Sequence, residues 1–417
     1  MSFSQHTSQP SVVTSPWLHR FAVLTALVTL ALVGVGGLVT SHEAGMAVPD
    51  WPNTYGYNMF AFPVSKWMGG ILYEHSHRLV ASLVGLLTSI LAAWLWLRET
   101  RSKARWVGFA LMICVLGLMG VRQLPVYIAL ASLAPVVIGL CLVQARRQPG
   151  ALRWWGIIAL AAVILQGVLG GLRVVLFKDQ IGIFHATLAQ LFFALMCAIV
   201  LFTSRSWQSL DNDSSLANTG EFRVQKVLLG TTLLMLLQLA LGATMRHQHA
   251  GLAIPDFPLA YGKLWPAMDA QSVSQYNQLR REVVATNPIT GFQIGLQMVH
   301  RLMALVIVAS VGFCAWTIRR RMGSKHLLAR LSLGWLGMIL LQAVLGAGTI
   351  WSNKAADIAT AHVLVGALSL AAGVMMSLIA FRGLVGARVP EKVAVAPTPL
   401  SARPFTPQTA TVAPGLK

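Results

Sequence analysis

Long apolar runs separated by short polar connections dominate the chain. Crossing a bilayer takes about 20 apolar residues. Runs of roughly this kind occupy Phe21–Thr40, Leu79–Leu97, Val107–Val121, Val126–Val143, Trp155–Leu172, Ile181–Thr203, Val227–Met245, Leu302–Ile318, Leu331–Ser352 and Ile358–Phe381. Eight of these read clearly as transmembrane helices. The run Val107–Val121 is short, and only Arg122-Gln-Leu-Pro125 separates it from Val126–Val143, so this pair reads as two spans or as one tight hairpin. Either way the chain returns to its starting side. The expected fold is an all-α polytopic membrane protein with 8–10 transmembrane helices, since a helix satisfies its own backbone hydrogen bonds in lipid.

Composition agrees with the pattern. Of 417 residues, 56% are hydrophobic and 11% charged, against about 25% charged in soluble domains, which excludes an ordinary soluble enzyme. The net charge of +19 is explained by topology and calls for no nucleic-acid partner. Connections 98–106, 144–154 and 319–330 are rich in Lys and Arg, and the positive-inside rule puts them in the cytoplasm with both termini. On that assignment the cytoplasmic side carries a net +16 and the outer side +3, while eight of the eleven histidines lie outside. Residues 1–20 hold one Arg and many Ser/Thr and read as a cytoplasmic segment, not as a presequence. A cytoplasmic linker is expected at 204–226 and a disordered cytoplasmic tail at 383–417. Cys114, Cys141, Cys197 and Cys314 all fall inside apolar runs, without CxxC spacing, and read as small buried hydrophobes.

The chain also repeats itself. Residues 36–50, ending in Val48-Pro-Asp50, align with 242–256, ending in Ile254-Pro-Asp256, and each continues to a Tyr-Gly step, Tyr55-Gly56 and Tyr261-Gly262. Further matches follow in the same order: Glu74-His-Ser-His77-Arg78 with Gln297-Met-Val-His300-Arg301, Leu165-Gln166 through Gly170 with Leu341-Gln342 through Gly346, and His185 with His362. The offset is 206 at the first match, 223 at the second and about 176 at the last two, the fall reflecting the additional hairpin 107–143 in the first half. Both copies start on the same side, so the repeat is parallel. Two pseudo-symmetric four-helix bundles are expected, the first in 21–203 and the second in 227–382.

Ionisable residues at membrane depth are costly and are functional candidates. His77, His185, His300 and His362 stand at the outer ends of spans, one from the second and one from the fourth helix of each half. A single such His reads as a structural residue. Four at equal depth, paired within each half, point instead to iron held as bis-histidine heme. His75 competes with His77, but the repeat aligns His77 with His300 and His75 with Met298. Glu74 lies three residues before His77, on nearly the same helix face. A carboxylate there can act as a base or stabilise positive charge, or can simply pair with Arg78. Its counterpart is the uncharged Gln297, so the two sites are built alike and equipped differently. Arg78, Arg301, Arg173 and Arg246 at outer span ends read as partners for heme propionates or as interfacial anchors. Gln166, Gln238 and Gln342 precede Leu-Gly steps and read as interhelical hydrogen-bond partners beside close-packing glycines. His42, His247 and His249 read as polar loop or interfacial residues, with transient ligand binding as the alternative.

These residues resemble the heme A synthase family: the ExxHR motif at Glu74-His-Ser-His77-Arg78, the second histidine opening the fourth helix, the PDWP and PDFP loop segments, and the repeated VHR and AH signatures across 21–382. The resemblance implies oxidation of the 8-methyl group of heme O to a formyl group, giving heme A for terminal oxidases. It implies substrate heme between His77 and His185, a heme b cofactor between His300 and His362, and Glu74 as the catalytic carboxylate, in the plasma membrane of a bacterium. Heme O synthase and terminal oxidase subunits are the candidate protein partners besides the lipid bilayer, and an oligomer is compatible with the sequence. Two features depart from the family: cysteine pairs found in the outer loops of some members are missing here, and the hairpin 107–143 is additional. Two rival readings remain. A di-heme electron-transfer cytochrome needs the four histidines but has no use for Glu74 opposite Gln297. A transporter needs ionisable groups at mid-span, whereas these lie at span ends.

Overall fold

A computed structural model of the protein describes residues 15–210, 222–279 and 288–387, together with Gly415. The helices, renumbered consecutively, are α1 (Pro16–Ser41), α2 (Gly69–Glu99), α3 (Lys103–Leu118), α4 (Leu124–Arg147), α5 (Leu152–Val175), α6 (Asp179–Thr203), α7 (Arg205–Ser209), α8 (Phe222–His247), α9 (Ala270–Leu279), α10 (Gly291–Met322), α11 (Leu327–Trp351) and α12 (Ala356–Ala387). The expected segment 1–20, linker 204–226 and tail 383–417 lie largely outside the described residues. Where described, residues 16–20 belong to α1, 205–209 to α7 and 383–387 to α12.

Among the described residues, nine helices are long and apolar enough to cross a membrane: α1, α2, α4, α5, α6, α8, α10, α11 and α12. Helix α3 is the exception. Its 16 residues reach about 24 Å at 1.5 Å each, short of the ~30 Å hydrocarbon core. It forms a hairpin with α4 through a turn at 119–123. Pro125 sits in the first turn of α4, where its missing N–H costs nothing. The hairpin is laid along the bundle, α3 against α2 and α4 against α5, and Trp96 Nε1 donates to Arg105 O at 3.0 Å. Cys114 lies on the exposed side of α3 and is not the buried hydrophobe expected; Cys141 and Cys314 are buried.

Helices α2 and α10 start well before their apolar runs, at Gly69 instead of Leu79 and at Gly291 instead of Leu302. Each therefore carries its polar histidine motif inside the helix, extending toward the loops 42–68 and 248–290. We refer to this as the loop end. A capping box fixes the start of α10: Thr290 Oγ1 accepts from Gln293 N, and the Gln293 side chain accepts from Thr290 N. At the opposite end Glu99 accepts from the first amides of α5, Leu152 N at 3.2 Å and Arg153 N at 2.9 Å, where a carboxylate complements the helix dipole.

Helices α1, α2, α5 and α6 pack around one another in a ring, and so do α8, α10, α11 and α12. Leu18, Leu91, Leu95, Met196 and Ile199 fill the first ring. Leu228, Val311, Ile318, Trp335 and Leu370 fill the second. The rings meet where α1 and α6 pack on α12 and α6 packs on α8, through a seam of Val33, Phe193, Ala367 and Ala371. Small residues in the seam let these helices approach closely.

Candidate functional site

Each of the four histidines lies over a glycine of the preceding helix in its ring. A Cβ added at Gly36 would meet His77 Nε2 at 3.1 Å, and one at Gly170, Gly242 or Gly346 would meet Cε1 of His185, His300 or His362 at 3.2, 3.3 and 3.2 Å. Glycine at these positions is what allows an imidazole to lie in a helix–helix contact. Across the first ring His77 and His185 face each other, ring centroids 6.5 Å apart and planes at 70°. Two nitrogen–metal bonds of ~2 Å each, with the half-widths of two rings, set imidazoles around one metal about 6 Å apart. His300 and His362 are also near enough to interact electrostatically. All four rings are half-buried. Nδ1 of His185, His300 and His362 is buried and has no hydrogen-bond partner among the described residues. These features fit a ligand that needs two imidazoles per ring. No group of three or more His, Cys, Asp or Glu gathers at metal-binding geometry among the described residues.

The glutamines belong to the same arrangement. Gln166 Nε2 donates to His185 O at 3.1 Å, Gln238 to His300 O at 3.0 Å and Gln342 to His362 O at 2.8 Å. Each stands four residues before the glycine that faces that histidine, so one helix face supplies both the space and the anchor. The first helix breaks the rule, with Leu32 four residues before Gly36. Their interhelical role was legible in the sequence, but their bond to the histidine itself was not. The signal was the four-residue spacing from Gln to Gly.

His75 is fully buried away from the pair. Its Nδ1 lies 3.2 Å from Thr54 Oγ1, and its ring packs against Phe62 and Trp67. Beside it, Glu74 is buried, at 5% exposure. One carboxylate oxygen accepts from Val48 N at 2.8 Å and the other from Arg78 Nη2 at 2.7 Å. In the second ring Gln297 Oε1 accepts from Ile254 N at 2.7 Å, while its Nε2 donates to Gly251 O and Ile254 O at 3.3 and 3.2 Å. The two residues therefore anchor equivalent loop amides.

The loops they hold are built alike. Asp50 accepts from Tyr55 N and Gly56 N, both at 2.7 Å, and Tyr55 OH donates to Ala47 O at 2.6 Å. Asp256 accepts from Tyr261 N and Gly262 N, and Tyr261 OH donates to Ala253 O. Each Tyr-Gly step has positive φ at both residues, which favours glycine at the second. Trp51–Pro52 and Phe257–Pro258 are both cis. Arg78 donates to the carbonyls of Val48, Asp50 and Asn53 as well as to Glu74. Arg301 donates to Asp256 O and Leu259 O and lies over the Phe257 ring. Both guanidiniums, read as propionate partners or interfacial anchors, are thus engaged with loop backbone; the buried Arg301 Nε has no partner among the described residues.

Three other histidines are placed more firmly than loop positions suggest. His42 ends α1 and stacks on Tyr73 with centroids 4.1 Å apart. His247 is the last residue of α8 and crosses from the second ring to pack on Gly182 of α6. His249 lines a cleft between the rings together with His247, Arg173 and Arg246.

The model of a cytochrome oxidase assembly protein family, COX15-CtaA, matches residues 19–130 and 122–374. A heme A synthase of Shouchella clausii is 23% identical over 341 residues, covering 81% of this chain and 88% of that protein. A heme A synthase of Cereibacter sphaeroides is 26% identical over 357 residues, 81% of each chain. One from a Methylobacterium species is 24% identical over 404 residues, covering 87% of this chain and 94% of its own.

Proposed function

The chain belongs to the COX15-CtaA family of cytochrome oxidase assembly proteins, and from that premise we propose that it is a heme A synthase, an integral membrane enzyme acting on heme O. The reaction we assign is oxidation of the 8-methyl group to a formyl group, an oxidoreductase reaction at a C–H bond. In this reading His77 and His185 hold the substrate heme in the first ring, and His300 and His362 hold a resident heme b in the second. The loop end faces the outside of a bacterial plasma membrane and both termini face the cytoplasm, following the Lys/Arg bias. The N-terminal half, 21–203, carries the substrate site, and the C-terminal half, 227–382, the heme b site.

One observation carries the division of labour: Glu74 and Gln297 make the same bond to the loop amide, yet only Glu74 has a charge. If loop anchoring were the whole task, the amide would serve in both rings. The carboxylate of the first ring is thus available for a second task, beside the substrate, as a base or as stabiliser of developing positive charge. Its partner Arg78 holds it in place. Arg78 and Arg301 hold the two loops over the histidines and so support heme binding indirectly. A resident heme b would supply one-electron redox chemistry, and the residues His300, His362, Gln238 and Gln342 hold and orient it.

Extraction of hemes from the full-length protein, produced in a host that makes heme O, tests this reading. Heme b together with heme O or heme A is expected. Heme b alone, with no heme O or A under heme O supply, would favour the electron-transfer cytochrome.

A further inference from the structure

At the loop end, a cleft of about 100 Å³ opens between the two rings. Arg173 and Asp179 line it from α5 and α6, Arg246 and His247 from the end of α8, and Lys354 from the turn before α12. Arg173 lies three residues beyond Gly170, the glycine under His185, and so one turn further toward the loop end on the same face. It is near enough to both His77 and His185 to act on them electrostatically. The loop passes so close above it that a Cβ at Gly45 would stand 2.6 Å from Nη1. Its Nη2 donates to Asp179 at 3.0 Å, and its buried Nε has no partner among the described residues.

Arg246 reaches from the second ring into the first, donating to Gly37 O at 2.7 Å and Ser41 Oγ at 2.5 Å. Neither of these acceptors carries a charge. Lys354 stands 3.7 Å from the exposed Glu43.

These arginines also break the internal repeat. At the offset of 206 the counterpart of Arg246 is Thr40, and at 176 that of Arg173 is Thr349. Both threonines bond their own helix, Thr40 to Gly36 O and Thr349 to Leu345 O. Residues that merely close a bundle would recur in both halves, as the glycines and glutamines nearly do. The cations are instead concentrated in one place between the rings, Arg173 near His77 and His185 and Arg246 near His362.

We propose that this cleft holds the carboxylates of the substrate heme, with Arg173 as the principal anchor and Arg246 and Lys354 contributed by the other half. The inference rests on the bis-histidine reading of His77 and His185. A cleft of this size is too small for a tetrapyrrole, since pockets for such ligands run to ~300–1,000 Å³, but it suits short carboxylate chains reaching up from a ring below. Arginine's planar fork matches a carboxylate. Because the two halves share the cleft, substrate binding and the seam between the rings are coupled.

The test is titration of the purified full-length protein with hemin and with its dimethyl ester, following the part of the Soret change that His77→Ala abolishes. Hemin is expected to bind at least about tenfold more tightly than the ester, the worth of one charge-assisted hydrogen bond. Arg173→Gln is expected to weaken hemin by a similar factor and to leave the ester unaffected. Lys354→Gln, at a more exposed position, is expected to give a smaller loss of the same kind. Equal affinity for hemin and ester would overturn the proposal, even if Arg173→Gln failed to fold. Lipid phosphate or free anion in the cleft gives that same result, since neither responds to esterification of the heme. No His77-dependent Soret change at all would overturn the bis-histidine reading, and the cleft with it.

Discussion

The loops over the first and the second ring share one frame around their Pro-Asp and Tyr-Gly steps, although only the second adds a helix, α9, and they differ in the helix residue that anchors each. Each has an aspartate accepting from a Tyr-Gly step, a tyrosine hydroxyl bonded back to an alanine carbonyl, and an arginine donating to loop carbonyls. Within that shared frame one ring places Glu74 and the other Gln297. The second ring thus acts as a natural control for the first, showing that an amide can hold this loop. A buried carboxylate costs desolvation, which the ion pair with Arg78 offsets in the first ring, so the comparison turns on whether the charge does more than hold that arginine.

The most drastic way to break the comparison is to remove a ligand. His300→Ala or His362→Ala is expected to abolish bound heme b while heme O still binds the first ring, read from extracted pigments. Equal loss of both hemes would mean that the rings are not independent sites.

Next in size is Glu74→Gln, which makes the first ring like the second. Heme A output should fall about 100-fold or more, the usual worth of a positioned acid–base or electrostatic group, with both hemes retained. Undiminished heme A by chromatography would remove Glu74 from the chemistry.

Arg78 and Arg301 should separate on stability. Arg78→Gln leaves a buried carboxylate unpaired and should cost about 3–5 kcal/mol. Arg301→Gln removes hydrogen bonds to two carbonyls and the contact with the Phe257 ring but leaves no charge unpaired, and should cost about 1–3 kcal/mol. Thermal unfolding in detergent, compared side by side, checks the order; a larger loss at Arg301 would contradict the pairing described for Glu74.

The smallest expected effect is at the glutamines. Gln166→Leu should cost about 0.6 kcal/mol, typical of a hydrogen bond between membrane helices, because the first helix already carries Leu32 at the corresponding place. A heme dissociation assay that showed wholesale loss of the first-ring heme in this variant would make Gln166 more than a support.

Much of this was legible in the sequence because it is periodic or repeated. Apolar runs of span length announce helices, and the repeat aligns His77, not His75, with His300 without any structure. The limits of α2 and α10 were not legible. Their first turns are rich in glycine and lead into a polar histidine motif, so they look like loop, and only the loop folded onto them supplies the partners that let Glu74, His75 and Arg78 be helical and buried. The hairpin was ambiguous for a related reason: the 16 residues of α3 fall short of an ordinary span, and packing of α3 on α2 and of α4 on α5 decides where the pair lies.

The sequence by itself thus determined the helices, the twofold repeat, the four histidines and the Glu74/Gln297 asymmetry, because each is written in local composition or in comparison of the chain with itself. Only the tertiary structure decided what the arginines touch. Arg78 and Arg301 lie beside His77 and His300 in sequence yet donate to loop carbonyls, whereas Arg173 and Arg246, 73 positions apart, line one cleft. A long cationic side chain finds its acceptor across several ångströms in any direction, so its partner is fixed by the way the two rings come together and not by its neighbours along the chain.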